Sequence, residues 1–239
     1  DRYVLIAGPS GAGKSALMWR AAHELAGRFR LVRIRSIDES QVAAVARWIE
    51  AQLPEAQAPI LLCADDLGRR SMAGWESLVD RLFELPGLHF VGAVRHEDYT
   101  SSLQRGRASL VAPALDRTLA KQVTEQLEFR QVHLRLEADE AFARADGLLM
   151  EFVALLVTGK RLEQIVNSQV DQRLLPERTT EREVLRYVTT AHVAGIALPA
   201  VALEELVPGA PDLAQSLARL SQEFLVRKAE GERWAGLHE

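Results

Sequence analysis

Gly8-Pro9-Ser10-Gly11-Ala12-Gly13-Lys14-Ser15 fits G-x-x-x-x-G-K-[ST], the spacing of a phosphate-binding loop. A β-favouring run, residues 3–7, precedes it, and helical spacing through Ala16, Leu17, Ala21 and Leu25 follows. Strand, loop and helix is the context in which such a loop works. Glycines at 8, 11 and 13 let successive backbone N–H groups turn inward, and a helix starting near Lys14 adds its positive dipole end. Lys14 is the candidate to reach β- and γ-phosphates, and the Ser15 hydroxyl the candidate Mg2+ ligand. Residues 8–16, Ala16 included, form the candidate nucleotide contacts. The plainer alternative is a glycine-rich turn at a strand–helix junction.

A second element, Ile60-Leu61-Leu62-Cys63-Ala64-Asp65-Asp66, reads as a strand covered on both faces and ending in two acids. At the carboxyl edge of an open α/β sheet these acids fall where ligands bind. Asp65 is the candidate Mg2+ partner, and Asp66 the candidate to orient or deprotonate an attacking water. The alternative is that the pair merely ends a strand and caps a turn. A run at 31–35 falls between the two motifs, so an inserted strand is expected between them in the sheet. The third element, Phe90-Val91-Gly92-Ala93-Val94-Arg95, is a strand ending in a cation. Arg95 either stabilises charge developing on a terminal phosphate or is a solvated residue at a strand end.

Strand and helix signals alternate through residue 112, with a helix through Val42, Val45, Ala46 and Ile49 capped by Asp38 or Ser36. Another helix runs through Trp75, Leu78, Val79 and Leu82, and a short fifth strand is expected at 109–112. The expected fold is a parallel α/β sheet with helices on both faces. Beyond Pro113 the spacing is helical. Thr180 with Glu183 offers a capping box, helices open at Pro199 and at Pro211-Asp212, and β-like runs at 224–228 and 233–237 complete a winged-helix pattern. The expected domains are 1–112, 113–176 and 177–239. His192, on an apolar stripe, reads as a core histidine, and the four tryptophans read as packing residues.

Composition narrows the function classes. Lys and Arg number 29 against 33 Asp and Glu, a formal charge of −4, which argues against broad attraction to nucleic acid or anionic lipid. Cys63, the one cysteine, can form neither an intramolecular disulfide nor a multi-cysteine zinc site, so a reducing cytoplasm is the expected compartment. The most apolar stretch, 147–157, carries Glu151 and is too short for a membrane span. Both ends read as cut from something longer.

Taken in order, the loop, the two-acid strand end, Arg95 and the run Leu110-Val111-Ala112-Pro113-Ala114-Leu115 resemble a STAND-type NTPase, the signal-transducing branch of the AAA-like ATPases. The resemblance implies an ATP/ADP switch using Mg2+, with a helical domain and a winged-helix lid. It implies self-association in the ATP state, an effector and a sensor flanking this segment, and an unidentified protein trigger. It also implies that His238, in Trp234-Ala235-Gly236-Leu237-His238, contacts the β-phosphate of ADP; the alternative is a surface histidine near the chain end. Relatives serve in bacterial anti-phage defence or transcription regulation. The chain departs from the family at Gly147-Leu148-Leu149-Met150, where a Gly-x-Pro turn is usual.

Two other functions fit the same residues. One is a replication-initiator-like AAA ATPase whose winged helix binds DNA. Against it, residues 212–223 hold one cation, Arg219, beside Asp212 and Glu223, so nucleic acid is not an expected partner. The other is a non-hydrolysing scaffold that keeps nucleotide as a structural ligand. No membrane partner is expected.

Overall fold

A computed structural model describes residues 1–54, 56–100, 103, 107–173, 178–209, 213–223, 225–229 and 231–236. Strands Tyr3–Gly8 (β1), Arg30–Ile34 (β2), Ile60–Leu67 (β3), Leu88–Arg95 (β4) and Ala108–Val111 (β5) pair in parallel in the order β2-β3-β4-β1-β5. Helices Lys14–Leu25 (α1), Val42–Gln52 (α2) and Trp75–Leu82 (α3) make the successive crossovers from β1 to β4. The expected parallel α/β sheet with flanking helices is formed. Its inserted strand is β4, whereas the 31–35 run that raised that expectation lies at the edge, in β2. Burial explains the exchange. Leu88, Phe90, Val91, Ala93 and Val94 are buried on both faces of β4, while Arg30 and Arg33 in β2 keep their charges in water.

The run in β3 alternates between two cores. Ile60, Leu62 and Ala64 pack with Ile49, Trp75, Leu78 and Leu82 on the α2 and α3 side, and Leu61 and Cys63 pack with Met18 and Ala22 of α1. Trp75 donates its Nε1–H to the Tyr3 hydroxyl at 3.0 Å, which satisfies a polar group inside the first core. Trp19 lies under the Arg33 guanidinium, 4.7 Å away, but Trp48 is 50% exposed and does not pack as expected. Neither Asp38 nor Ser36 caps α2. Gln41 holds the N-cap position, and Asp38 accepts from Ser40 and from the Gln41 N–H in the turn before it.

Past the sheet, Arg117–Phe129 (α4), Ala138–Arg144 (α5) and Leu149–Thr158 (α6) close around Ala120, Ala141, Ala145, Phe152 and Leu155. Asp116 caps α4 by accepting the Leu119 N–H at 2.7 Å. These helices and the sheet form one compact unit, Asp1–Arg161; Leu162–Glu239 form a second, so residues 113–176 fall in both.

The second unit contains Leu162–Gln172 (α7), Thr179–Val193 (α8), Ala200–Leu206 (α9) and Leu213–Gln222 (α10), with an antiparallel sheet β6-β8-β7. Its strands are Leu198–Pro199 (β6), Val226–Ala229 (β7) and Arg233–Gly236 (β8). Val184, Val188, Leu203, Leu217, Leu220 and Val226 form its core. His192 packs on β8, where a Cβ on Gly236 would come within 3.1 Å of its ring. The Thr180–Glu183 box is not formed. Arg178 holds the N-cap of α8 without a side-chain cap, and Glu183 pairs with Arg182 and Arg186 instead. The expected helix start at Pro211-Asp212 lies outside the described residues. Among the described residues no helix is long and apolar enough to cross a membrane.

Candidate nucleotide site

Residues 8–15 connect β1 directly to α1, and two glycines give the loop its shape. Gly11 and Gly13 have left-handed backbone, φ 80° and 85°, which side-chain-bearing residues seldom adopt. Gly13 is also the N-cap of α1, so the first free N–H groups of the helix open toward the loop. Lys14 is half-buried and curls back, donating from Nζ to the Pro9 carbonyl at 2.7 Å. Ser15 is exposed at the start of α1.

Sheet pairing brings Arg95 to this loop. Gly8 and Arg95 are partners in register on β1 and β4, and the His96 N–H donates to the Gly8 carbonyl at 3.2 Å. Arg95 Nη1 lies 3.9 Å from Glu97 Oε1. Burial, then the Arg95 charge, holds the Lys14 ammonium below the usual lysine value, against the opposing pull of Glu97, Asp65 and Asp66.

The two acids do not end β3 as expected; they form a bulge within it. Pairing with β4 breaks after Ala64–Gly92 and resumes at Leu67–Val94. Asp66 takes φ 54°, and Asp65 Oδ1 accepts the Asp66 N–H at 2.9 Å. Arg69 Nε stands 3.9 Å from Asp66. Gly92 makes the bulge possible, because a Cβ there would come within 2.3 Å of Leu67 Cδ1. With β4 between them, β1 and β3 are two strand spacings apart, about 10 Å, a span a nucleotide's phosphates and a metal can bridge.

The segment 147–150, singled out in the sequence only for lacking the usual proline, is a neighbour of the loop. Met150, in the first turn of α6, donates its N–H to the Gly11 carbonyl at 3.0 Å. Leu149 comes so close that a Cβ on Gly13 would lie 2.9 Å from its Cδ2. The turn lacking the usual proline therefore still meets the loop. His238 lies outside the described residues. An open cleft of 390 Å³ beside Thr124, Glu128 and Arg135 contains none of these site residues.

The donor set fits a magnesium nucleotide: a cation at the start of α1, Lys14, a second at the end of β4, Arg95, a glycine cradle, and a carboxylate toward the carboxyl end of β3. Among the described residues no cluster of three or more His, Cys, Asp or Glu could hold a metal alone.

Loop, strand order and acid position define a P-loop NTPase-like core with a strand inserted between the loop strand and the acid strand. Three solved structures are distantly similar to the chain. RuvB T158V of Thermotoga maritima is 17% identical, with 98% of this chain and 84% of that chain covered and a TM-score of 0.43. AMPPCP-bound DnaA from Aquifex aeolicus is 16% identical, with 92% and 82% covered and a TM-score of 0.41. Drosophila ORC bound to GC-rich DNA and Cdc6 is 12% identical, with 98% and 81% covered and a TM-score of 0.35. No protein-family model and no curated protein matches the chain. The expectation that nucleic acid is not a partner is overturned, since a structure bound to GC-rich DNA is among these. Its charge argument also fails at Glu223, which Arg173 and Arg178 already engage.

Proposed function

We propose that the chain is the ATPase module of an AAA-like protein, binding ATP and ADP at residues 8–16 and hydrolysing ATP slowly. One observation carries this reading: Arg95 pairs in register with Gly8, and burial, then the Arg95 charge, holds Lys14 below the usual lysine value, an electrostatic cost that a bound anion would relieve. Lys14 then pairs with β- and γ-phosphate oxygens, and Ser15 and Asp65 hold the metal. Asp66 orients the attacking water and accepts its proton, and Arg95 stabilises charge developing on the terminal phosphate. Mg2+, when bound, neutralises the phosphate oxygens. Calorimetry with Mg2+ and each nucleotide tests the site, and single-turnover phosphate release tests the chemistry. Absence of binding sinks the reading. Binding without cleavage, in a wild type no better than Asp66→Asn, would leave a nucleotide-holding scaffold.

A second reading, that the second unit is a winged helix contacting duplex DNA, is favoured by the face of α10. Its exposed residues are Ala214, Gln215, Ala218, Arg219 and Gln222, with no acid among them, and β7 and β8 add exposed Arg227 and Arg233. Binding of a labelled duplex that weakens steeply with salt supports it. No binding at low salt, with ADP retained through purification, would favour a lid in a STAND-like signalling switch.

A further inference from the structure

The start of a helix leaves backbone N–H groups that its own turns cannot satisfy. At the start of α6 no side chain caps them, and the Met150 N–H goes to the Gly11 carbonyl of the phosphate-binding loop. The turn that delivers Met150 is tight, with Asp146 at φ 49° and Gly147 at φ 78°. Arg161 holds this turn from three sides. Its Nη1 lies 3.6 Å from Asp146 Oδ2, its Nη2 donates to the Arg144 carbonyl at 3.2 Å, and its Nε lies 4.0 Å from Glu151 Oε1. Glu151, next to Met150, is only 8% exposed, so its charge depends on a nearby cation. Immediately after Arg161 the chain enters the second unit, at Leu162, the first residue of α7.

We propose that Arg161 is a positioning residue that transmits occupancy of the phosphate-binding loop to the start of α7. This rests on the nucleotide reading above and adds the route by which bound phosphate is felt elsewhere in the chain. A loop whose N–H groups converge on phosphate turns its carbonyls outward, and Gly11 O is then fixed in direction. A fixed acceptor orders the first turn of α6 through Met150. The Glu151 carboxylate moves with that turn and carries the Arg161 guanidinium with it. Arg161 suits the task because its planar fork reaches two carboxylates and a carbonyl at once, which a lysine ammonium on a flexible stem does not.

The test uses the whole chain as wild type, Arg161→Lys and Glu151→Gln. Calorimetry gives the affinity for ADP with Mg2+, and hydrogen exchange of residues 162–172 is followed with and without saturating ADP. Wild type should bind ADP and slow exchange in α7 by about fivefold or more, the low end of ordinary coupling between sites. Both variants should bind ADP within a few-fold of wild type yet lose that slowing. Lost stability alone would raise exchange with and without ADP alike, leaving the ratio unchanged. Variants that keep the wild-type response overturn the relay, as does a wild type that binds ADP with no change in α7. A wild type that binds no ADP overturns the nucleotide reading and the relay together.

Discussion

Gly8 and Arg95 are partners in register on adjacent parallel strands, so the last residue of β4 is fixed beside the first residue of the candidate phosphate-binding loop. The cation's position follows from backbone pairing, and its side chain is only 20% exposed. Such a group can be in place before reaction, which is what stabilising developing charge requires. Arg95→Ala should cut single-turnover ATP hydrolysis by about 10²- to 10³-fold, the usual loss for one preorganised donor. Affinity for ADP should change far less. Equal losses in binding and hydrolysis would make Arg95 a binding residue only.

Lys14 sets function against stability. Burial and the Arg95 charge hold its folded-state value below that of the unfolded chain, so the unfolded state binds more protons as pH rises between the two values. The charged ammonium therefore disfavours the empty fold at neutral pH, and this cost is relieved as pH rises through the depressed value. Lys14→Met, which keeps the aliphatic stem, should raise the Tm of the nucleotide-free protein while abolishing ADP binding. Unchanged affinity by calorimetry would contradict the site, and a lower Tm would contradict the electrostatic account.

The Asp65–Asp66 bulge depends on a missing Cβ. Leu67 is wholly buried and lies over Gly92, with Leu5 on the other side, 3.3 Å from where a Cβ would stand. Gly92→Ala should force Leu67 outward and cost about 1 to 3 kcal/mol by overpacking. It should also reduce hydrolysis, because the displaced leucine closes the bulge that carries both acids. Adding Leu67→Val should recover much of both losses in denaturation and turnover assays. A double variant no better than Gly92→Ala would place the fault elsewhere.

What could be read from the chain was whatever depends on near neighbours. Residues 8–15 carry their own geometry, since Gly11, Gly13 and Lys14 act within one turn. The apolar run 60–64 reads as central because alternate residues must each meet a core. The bulge at Asp65–Asp66 was hidden, because it depends on Leu67 meeting Gly92 of another strand. The Met150–Gly11 hydrogen bond was hidden for the same reason: a helix start names no acceptor. Glu223 shows how counting charges misleads. It weighed against a DNA-facing helix until its two arginine partners, far away in sequence, neutralised it.

Those partners make Glu223 the acid-sensitive point of the second unit. Arg173, 1% exposed, binds Glu223 and stands 3.8 Å from Glu181. Arg178 reaches Glu223 at 2.7 Å and Glu181 at 2.6 Å. Burial alone would raise the Glu223 carboxyl, but the Arg178 hydrogen bond and the Arg173 charge outweigh it and hold the group below the usual carboxylate range. A depressed folded-state value gives stability that is complete above the unfolded value and is lost as pH falls through the folded one. The second unit should therefore weaken on acidification below the ordinary glutamate range, while Glu223→Gln should flatten that dependence. Glu223→Ala leaves the buried Arg173 with the Gln169 oxygens and, among the described residues, with Glu181 as its remaining carboxylate, and should cost about 3 kcal/mol, the low end for stranding a buried charge. Urea denaturation followed by Trp234 fluorescence, with the other three tryptophans replaced by Phe, reads this unit separately. A wild type and Glu223→Gln with the same acid dependence would show that the arginines bind a carboxylate whose charge contributes nothing to the fold.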